Sequence, residues 1–150
     1  MSCCRQSDTI IRWGGDEFLV IGNAASPRTA EQLAERIREG LAGHQYQLGK
    51  GHVGRLSGSI GFSMYPFSPT RTSSLSWEQV ITIADHAAYA AKRNGRNAWV
   101  GVYGTRKCSW EELTRTNVNL PALAQQGIID IKSSLEKIEY FSEDKALEKA

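Results

Sequence analysis

Residues 12–18 read RWGGDEF and place two glycines directly before two acidic residues. Apolar, β-type runs lie on both sides, so the pattern predicts a β-hairpin with Asp16 and Glu17 at its tip. Gly14 and Gly15 can supply the positive φ angle of a tight turn, and a turn without side chains lets backbone N–H groups approach a phosphate. Carboxylate oxygens are ligands that Mg²⁺ prefers. The stretch suits a metal–phosphate site, although an ordinary surface hairpin explains the local pattern equally well.

Two basic residues, Lys92 and Arg96, lie four apart where a second predicted helix ends. Together they could hold a polyphosphate, with arginine acting as a planar fork and lysine as a mobile point charge. Basic residues are also common in the last helical turn, where they complement the helix dipole. The spacing alone therefore leaves a purely structural role open.

Arg5 and Asp8 form an RxxD pair just upstream of the predicted hairpin. Such a pair could bind a guanine edge and a phosphate together, because aspartate accepts from base N–H groups and arginine donates. Four-residue patterns of this kind also arise by chance. Arg36, on the first predicted helix, is an ordinary surface residue unless the fold brings it near this pair.

Composition indicates a soluble globular protein of ordinary domain size, with 150 residues, 41% hydrophobic content and a net charge of +2. Mixed charge without a basic stripe predicts no nucleic-acid partner. No apolar stretch approaches the roughly 20 residues that span a bilayer, so no membrane segment is predicted. Three cysteines without CxxC spacing favour a reducing compartment, and hence the cytoplasm.

The order of predicted elements is strand, turn, strand, helix, strand, helix, strand. Ser26 begins the first helix and Ser76 caps a second one over residues 76–93, while strands are predicted at residues 56–65 and 98–103. This order predicts an α+β fold in which helices cover a mostly antiparallel sheet. Residues 45–55 are rich in glycine and ambiguous.

The composition shifts after residue 104, so we predict one domain over residues 1–104 and a C-terminal extension over residues 105–150. A short helix is predicted to start at Leu120. Residues 128–131 could form a strand or a helical face. The last dozen residues are predicted to be a solvated polar helix or a disordered, frayed end.

Taken together, the motifs resemble the C-terminal part of a GGDEF domain, the diguanylate cyclase family of bacterial signalling, over residues 5–103. The GGDEF signature is complete at residues 14–18, and residues 57–61 (SGSIG) resemble the SxG strand of the family. Residues 84–97 (ADHAAYAAKRNGRN) resemble its helix end. The RxxD pair stands at the offset of the family's inhibitory site. Four matches in the right order are far more specific than any one.

The resemblance implies a palm-like nucleotidyl-cyclase fold and a homodimer that condenses two GTP molecules into cyclic di-GMP and pyrophosphate with Mg²⁺, or with Mn²⁺ in its place. By position, Asp16 would be the metal ligand and catalytic base, and Glu17 would support the metal or nucleotide. Gly14 and Gly15 would let the hairpin lie against the phosphates.

The same resemblance implies that Lys92 and Arg96 hold the β- and γ-phosphates of GTP. Arg5 and Asp8 would bind the product, cyclic di-GMP, at an inhibitory site, with Arg36 as a further partner of that site.

The sequence departs from the family in one respect. The first half of the family's domain carries a strand with a metal-ligating aspartate and helices with guanine-recognising residues, and no such acidic segment occurs in this sequence. We therefore expect a domain without its N-terminal strand and helices, with an unpaired sheet edge and an uncovered apolar face. We expect such a truncated chain to be inactive alone, and to be the cytoplasmic output part of a larger protein. The alternatives are a non-catalytic module that binds cyclic di-GMP at the RxxD site and a fragment that folds poorly.

Overall fold

The structure is a computed structural model that describes residues 3–69, 75–115 and 117–139. Both helices and strands occur in these ranges, which confirms the predicted α+β class. In chain order the elements are β1 (Thr9–Gly14), β2 (Glu17–Ile21), α1 (Pro27–Gly43), β3 (Gln45–Gln47), β4 (Val53–Arg55), β5 (Ile60–Ser63), α2 (Trp77–Arg93), β6 (Trp99–Gly104), α3 (Trp110–Arg115), α4 (Leu120–Gln125) and β7 (Ile129–Ser133).

Both long helices begin at the serines that the sequence predicts as caps. Ser26 accepts a hydrogen bond from the Thr29 N–H at the start of α1. Ser76 and Gln79 form a reciprocal capping box at the start of α2, because each side chain satisfies a backbone N–H of the other residue. These local bonds fix where each helix starts. In α2, the residues that follow reach the end of the helix at Lys92 and Arg93.

The strand pairs of the described residues are mostly antiparallel, as predicted, but they do not form one sheet. Within the described residues the strands form three small sheets: the pairs β1–β2 and β3–β4, and a three-stranded sheet in the order β5–β6–β7. The first two pairs and β6–β7 are antiparallel, but β5 and β6 are parallel. They are parallel because α2 returns the chain to the same end of the sheet, as in a β–α–β unit. The ambiguous residues 45–55 form the β3–β4 hairpin.

The strand predicted over residues 56–65 is shorter in the structure and covers only Ile60–Ser63. Its parallel partner begins at Trp99, which pairs with Ile60, and the ladder ends where Ser63 pairs with Val102. Residues 56–59 have no ladder partner, so the alternating sequence alone does not make them a strand.

Helix α2 packs closely on the β5–β6 pair, and Gly61 makes the approach possible. A Cβ atom at Gly61 would lie 2.0 Å from the carbonyl oxygen of Ala84 and 2.1 Å from the amide nitrogen of Ala88. The glycine of the SGSIG motif is therefore a packing residue, because it lets the backbone of α2 lie directly on the strand.

Residues after 104 contribute to the same hydrophobic core as α2 and β6. The largest fully buried side chains come from both parts of the chain: Ile83, Val100, Val102, Leu113, Leu123 and Ile129. The predicted short helix at Leu120 is confirmed as α4, and β7 resolves the open choice at residues 128–131 in favour of a strand. The predicted polar end lies, from residue 140 onward, outside the described residues, and the domain division at residue 104 stays a prediction.

The β1–β2 hairpin carries large apolar side chains that are exposed. Trp13 is 58% exposed and Phe18 is 62% exposed, and the isoleucines at 10, 11 and 21 are also exposed. The predicted uncovered apolar face is confirmed for this hairpin. None of the helices in the described ranges is long and apolar enough to cross a membrane.

Candidate functional site

The predicted hairpin tip is present, and its geometry follows from Gly15. Gly14 pairs with Glu17, so Gly15 and Asp16 form the turn, and Gly15 has a φ of +53°. Arg12 fastens this turn, because its Nε and Nη2 atoms donate to the Gly15 carbonyl oxygen at 3.1 and 2.8 Å. Asp16 therefore lies on a defined turn and Glu17 at the start of β2, and both residues are exposed.

Neither packing nor backbone conformation requires a glycine at residue 14. A Cβ atom there would meet no other atom within 4 Å, and its φ lies outside the left-handed region. A side chain at this position would extend into open space at the tip. The absence of one leaves room for a ligand to approach the backbone beside the two acids.

Lys92 lies at the hairpin tip although it is 75 residues away from Glu17 in sequence. Its Nζ atom is 3.0 Å from Oε1 of Glu17, and the two side chains are 48% and 52% exposed. An ion pair this exposed adds little to the stability of the fold, so stability does not explain why a lysine occupies this position. The contact instead places the basic end of α2 against the acidic tip of the hairpin.

Arg96 lies beyond the end of α2, in the loop that leads to β6. The loop has left-handed backbone angles at three consecutive residues: 101° at Gly95, 60° at Arg96 and 46° at Asn97. The Arg96 N–H donates to the Ala91 carbonyl oxygen at 3.1 Å, and its side chain is exposed. A second exposed cation thus follows Lys92 by four residues, outside the helix.

The donor set at the tip fits Mg²⁺ held jointly with phosphates. Magnesium is usually held by one or two carboxylates, with waters and substrate phosphates filling the remaining positions. Asp16 and Glu17 supply two adjacent carboxylates. Across residues 3–69, 75–115 and 117–139 no group of three or more histidine, cysteine, aspartate or glutamate side chains forms a metal-binding cluster. The tip can therefore share a metal with a polyphosphate but does not enclose one.

The three residues predicted for a product site lie together in a second place. Arg5, Asp8 and Arg36 line one surface pocket, together with Asn23, Ala24, Thr29, Gln32 and Leu33. The Arg5 N–H donates to Oδ2 of Asp8 at 2.6 Å, and the Asp8 N–H donates to the Arg5 carbonyl oxygen at 3.0 Å. These two bonds close the RxxD segment into a turn with both side chains on one pocket.

The side chain of Arg36 bonds to the backbone just before the RxxD turn. Its Nε donates to the carbonyl oxygen of Cys3 at 2.6 Å, which joins α1 to the residues before the turn. Burial, and next the negative charge of Asp8, raise the pKa of the Cys4 thiol beside this pocket. Two guanidinium groups and a carboxylate on one concave surface suit an anionic ligand that also carries N–H donors.

Sequence reasoning missed Thr29 and Gln32 as pocket residues. Both lie on α1 at the helical spacings of three, four and seven that lead to Arg36. Once Arg36 is singled out, this spacing could have found them.

Sequence reasoning also missed a network that positions α1 on the sheet. Glu35 accepts from Arg38 Nε at 2.9 Å and from the Trp99 indole N–H at 2.8 Å. The hydrogen bond from Arg38 is the main reason that the pKa of Glu35 lies below its ordinary value. Glu35 and Arg38 lie on the same helix, but Trp99 is 64 positions from Glu35, so no local pattern in the sequence reveals this contact.

The sequence of this chain matches a known protein family. The family model described as "Diguanylate cyclase, GGDEF domain" matches residues 1–98. This match covers the hairpin, both long helices and the RxxD turn. The chain belongs to the GGDEF domain family.

Several curated proteins are similar to the chain. Diguanylate cyclase DosC of Escherichia coli (strain K12) is 40% identical over 93 residues, which are 62% of this chain and 19% of DosC. The bifunctional diguanylate cyclase/cyclic di-GMP phosphodiesterase MucR of Pseudomonas aeruginosa is 33% identical over 135 residues, 89% of this chain and 17% of MucR. Diguanylate cyclase A of Treponema denticola is 38% identical over 96 residues, 64% of this chain and 24% of that protein. The chain thus spans between 17% and 24% of the length of these relatives.

Proposed function

We propose that this chain is the phosphate- and metal-binding part of a diguanylate cyclase domain with a palm-like fold. The reaction joins two GTP molecules: the 3′-hydroxyl of one attacks the α-phosphate of the other, and pyrophosphate leaves. The observation that carries the proposal is the 3.0 Å contact between Lys92 and Glu17, because it joins a phosphate-binding cation to an acidic turn. The family match and the named relatives support the same chemistry.

Each residue at the tip has a role in this proposal. Gly14 and Gly15 leave the backbone N–H groups open to the phosphates, and Lys92 and Arg96 neutralise the β- and γ-phosphates of the leaving pyrophosphate. Asp16 is the base that accepts the proton of the attacking 3′-hydroxyl.

Mg²⁺, or Mn²⁺ in its place, would be held by Asp16 and Glu17. When bound, it would polarise the α-phosphate and lower the pKa of the attacking hydroxyl. Two nucleotides must meet for the reaction, so the proposal requires two chains in a homodimer, each holding one GTP. A cytoplasmic location follows from the supply of GTP there.

We expect the chain to bind GTP without sustaining turnover on its own. In the part of the chain that the structure describes, the tip offers two carboxylates, fewer than a two-metal phosphoryl-transfer site needs, and the apolar side chains of the hairpin that carries them are exposed. The test is incubation of the purified chain with GTP and Mg²⁺, followed by chromatography for cyclic di-GMP. Binding with little or no product is the expected result; sustained production would overturn this part of the proposal.

A second candidate function is a non-catalytic module that binds cyclic di-GMP. The pocket shared by Arg5, Asp8 and Arg36 is the observation that favours it. Cyclic di-GMP offers two phosphates for the guanidinium groups and guanine N–H donors for the carboxylate. The two candidate functions differ in the role of the hairpin tip: a cyclase would use it, and a cyclic di-GMP receptor would not.

The pocket gives a prediction of its own. Substitution Arg36→Ala should weaken cyclic di-GMP binding about tenfold or more, because a charge-assisted hydrogen bond is lost. Arg28→Ala is the matched control, because it removes the same charge from the exposed start of α1 and Arg28 is not one of the residues that line the pocket. Calorimetry on both variants and on Arg5→Ala measures the effect. Equal affinities in all three would rule out the pocket as the binding site.

A further inference from the structure

Residues 134–139, which follow β7, contact the chain on both sides of the loop that carries Arg96. This segment lies beyond the residues 1–98 that the family model matches. The loop itself runs from Asn94 to Ala98, between α2 and β6. Its two ends are each hydrogen-bonded to the segment.

At the sheet end of the loop, Ser134 exchanges two hydrogen bonds with Trp99. The Trp99 N–H donates to Oγ of Ser134 at 3.0 Å, and the Ser134 N–H donates to the Trp99 carbonyl oxygen at 3.1 Å. Trp99 is the first residue of β6 and is buried. The point where the loop enters the sheet is therefore fixed by the segment.

At the helix end, the amide side chain of Asn94 bridges α2 and the segment. Its Nδ2 donates to the Ala90 carbonyl oxygen at 2.9 Å, and its Oδ1 accepts from the Glu139 N–H at 2.7 Å. Both ends of the amide are thus engaged, and the last turn of α2 is tied to residue 139.

The loop between these two anchors is held in an unfavourable backbone conformation. Arg96 and Asn97 both have left-handed φ angles, which residues with a Cβ atom rarely adopt. Such conformations persist where the surrounding structure fixes them. Within the loop, the Arg96 N–H donates to Ala91, Arg38 Nη1 donates to Asn97 Oδ1 at 3.5 Å, and Ala98 accepts from the Ile60 N–H. The anchors at Asn94 and Trp99 add contacts at its two ends.

We infer that residues 134–139 hold this loop in the conformation that presents Arg96 to the phosphates of a bound nucleotide. Asn94 and Ser134 are then positioning residues, which act through Arg96 and do not touch the nucleotide. The inference rests on the proposed function for its ligand, but the contacts that hold the loop are independent of it.

The Glu139 position offers a pair of variants that isolates one contact. Glu139→Pro removes the N–H that donates to Asn94, whereas Glu139→Ala keeps this N–H and removes only the side chain. Amide hydrogen exchange on the full chain, followed by NMR, reports the loop directly. In Glu139→Pro we expect the Arg96 amide to exchange roughly 3- to 10-fold faster, and in Glu139→Ala at the wild-type rate.

Ligand affinities separate positioning from general destabilisation. In Glu139→Pro the affinity for a non-hydrolysable GTP analogue with Mg²⁺ should fall by a similar factor, roughly 3- to 10-fold. The affinity for cyclic di-GMP at the pocket of Arg5 and Asp8 should stay unchanged. Ser134→Ala tests the other anchor, where the Trp99 amide should exchange faster.

Each outcome decides the inference. Unchanged exchange at Arg96 in Glu139→Pro would overturn it, and so would faster exchange with unchanged affinity for the GTP analogue. A parallel loss of both ligand affinities would indicate general destabilisation and would also overturn it. If the wild-type chain binds no GTP analogue, the proposed function fails, while the exchange rates still decide whether the segment fixes the loop.

Discussion

Replacing Gly61 by alanine should destabilise the chain by about 3 kcal/mol, because the added methyl group has no space between β5 and α2. The new Cβ would lie 2.0 Å from the Ala84 carbonyl oxygen and 2.1 Å from the Ala88 nitrogen, and neither backbone atom can rotate away. Helix α2 would have to lift from β5, taking Lys92 with it. Urea unfolding followed by circular dichroism measures the loss.

Gly43→Ala is the control for the Gly61 variant. A Cβ atom at Gly43 would meet nothing within 4 Å, and the residue is the last of α1. Alanine should leave the free energy of unfolding within about 0.5 kcal/mol, or raise it slightly through helix propensity. A loss below about 1 kcal/mol at Gly61 would mean that α2 does not pack on β5 as closely as described.

Substitution Lys92→Ala should lower the affinity for GTP with Mg²⁺ about 10- to 100-fold, because a charged hydrogen bond to phosphate contributes about 1.5–3 kcal/mol. The free energy of unfolding should barely change, since the ion pair with Glu17 is about half exposed on both sides. This combination distinguishes a binding role from a structural one. Calorimetric titration and a thermal melt on the same sample measure both quantities.

Lys107→Ala is the matched control for Lys92→Ala. Lys107 is exposed and follows the C-terminal end of β6, whereas Lys92 precedes its N-terminal end, so the same charge is removed from the other end of the strand. Its GTP affinity should equal that of the wild type. Equal losses in the two variants would show that only net charge matters, and equal affinities in all three would remove Lys92 from the site.

Local signals in the sequence predicted the elements that position the site. The cap at Ser26, the capping box at Ser76 and the glycine turn at Gly15 each act within four residues, so they can be read without the fold. The family motifs then located the acidic turn and the basic helix end in the correct order.

Contacts between distant residues could not be predicted in the same way. The parallel pairing of β5 with β6 depends on where α2 returns the chain, and the meeting of Arg36 with the RxxD turn depends on how α1 packs. The bond between Asn94 and residue 139 spans 45 positions and has no local pattern. Residues 128–131 fit two periodicities equally well until β6 provides a partner.

We propose that the hairpin tip and the end of α2 form one Mg²⁺-dependent GTP site. The most direct test is calorimetric titration of the full chain with a non-hydrolysable GTP analogue, in Mg²⁺ and again in EDTA, with the wild type and with Asp16→Asn. We expect binding in Mg²⁺ that is lost in EDTA and in Asp16→Asn. No binding by the wild type, or binding that neither EDTA nor Asp16→Asn changes, would contradict it.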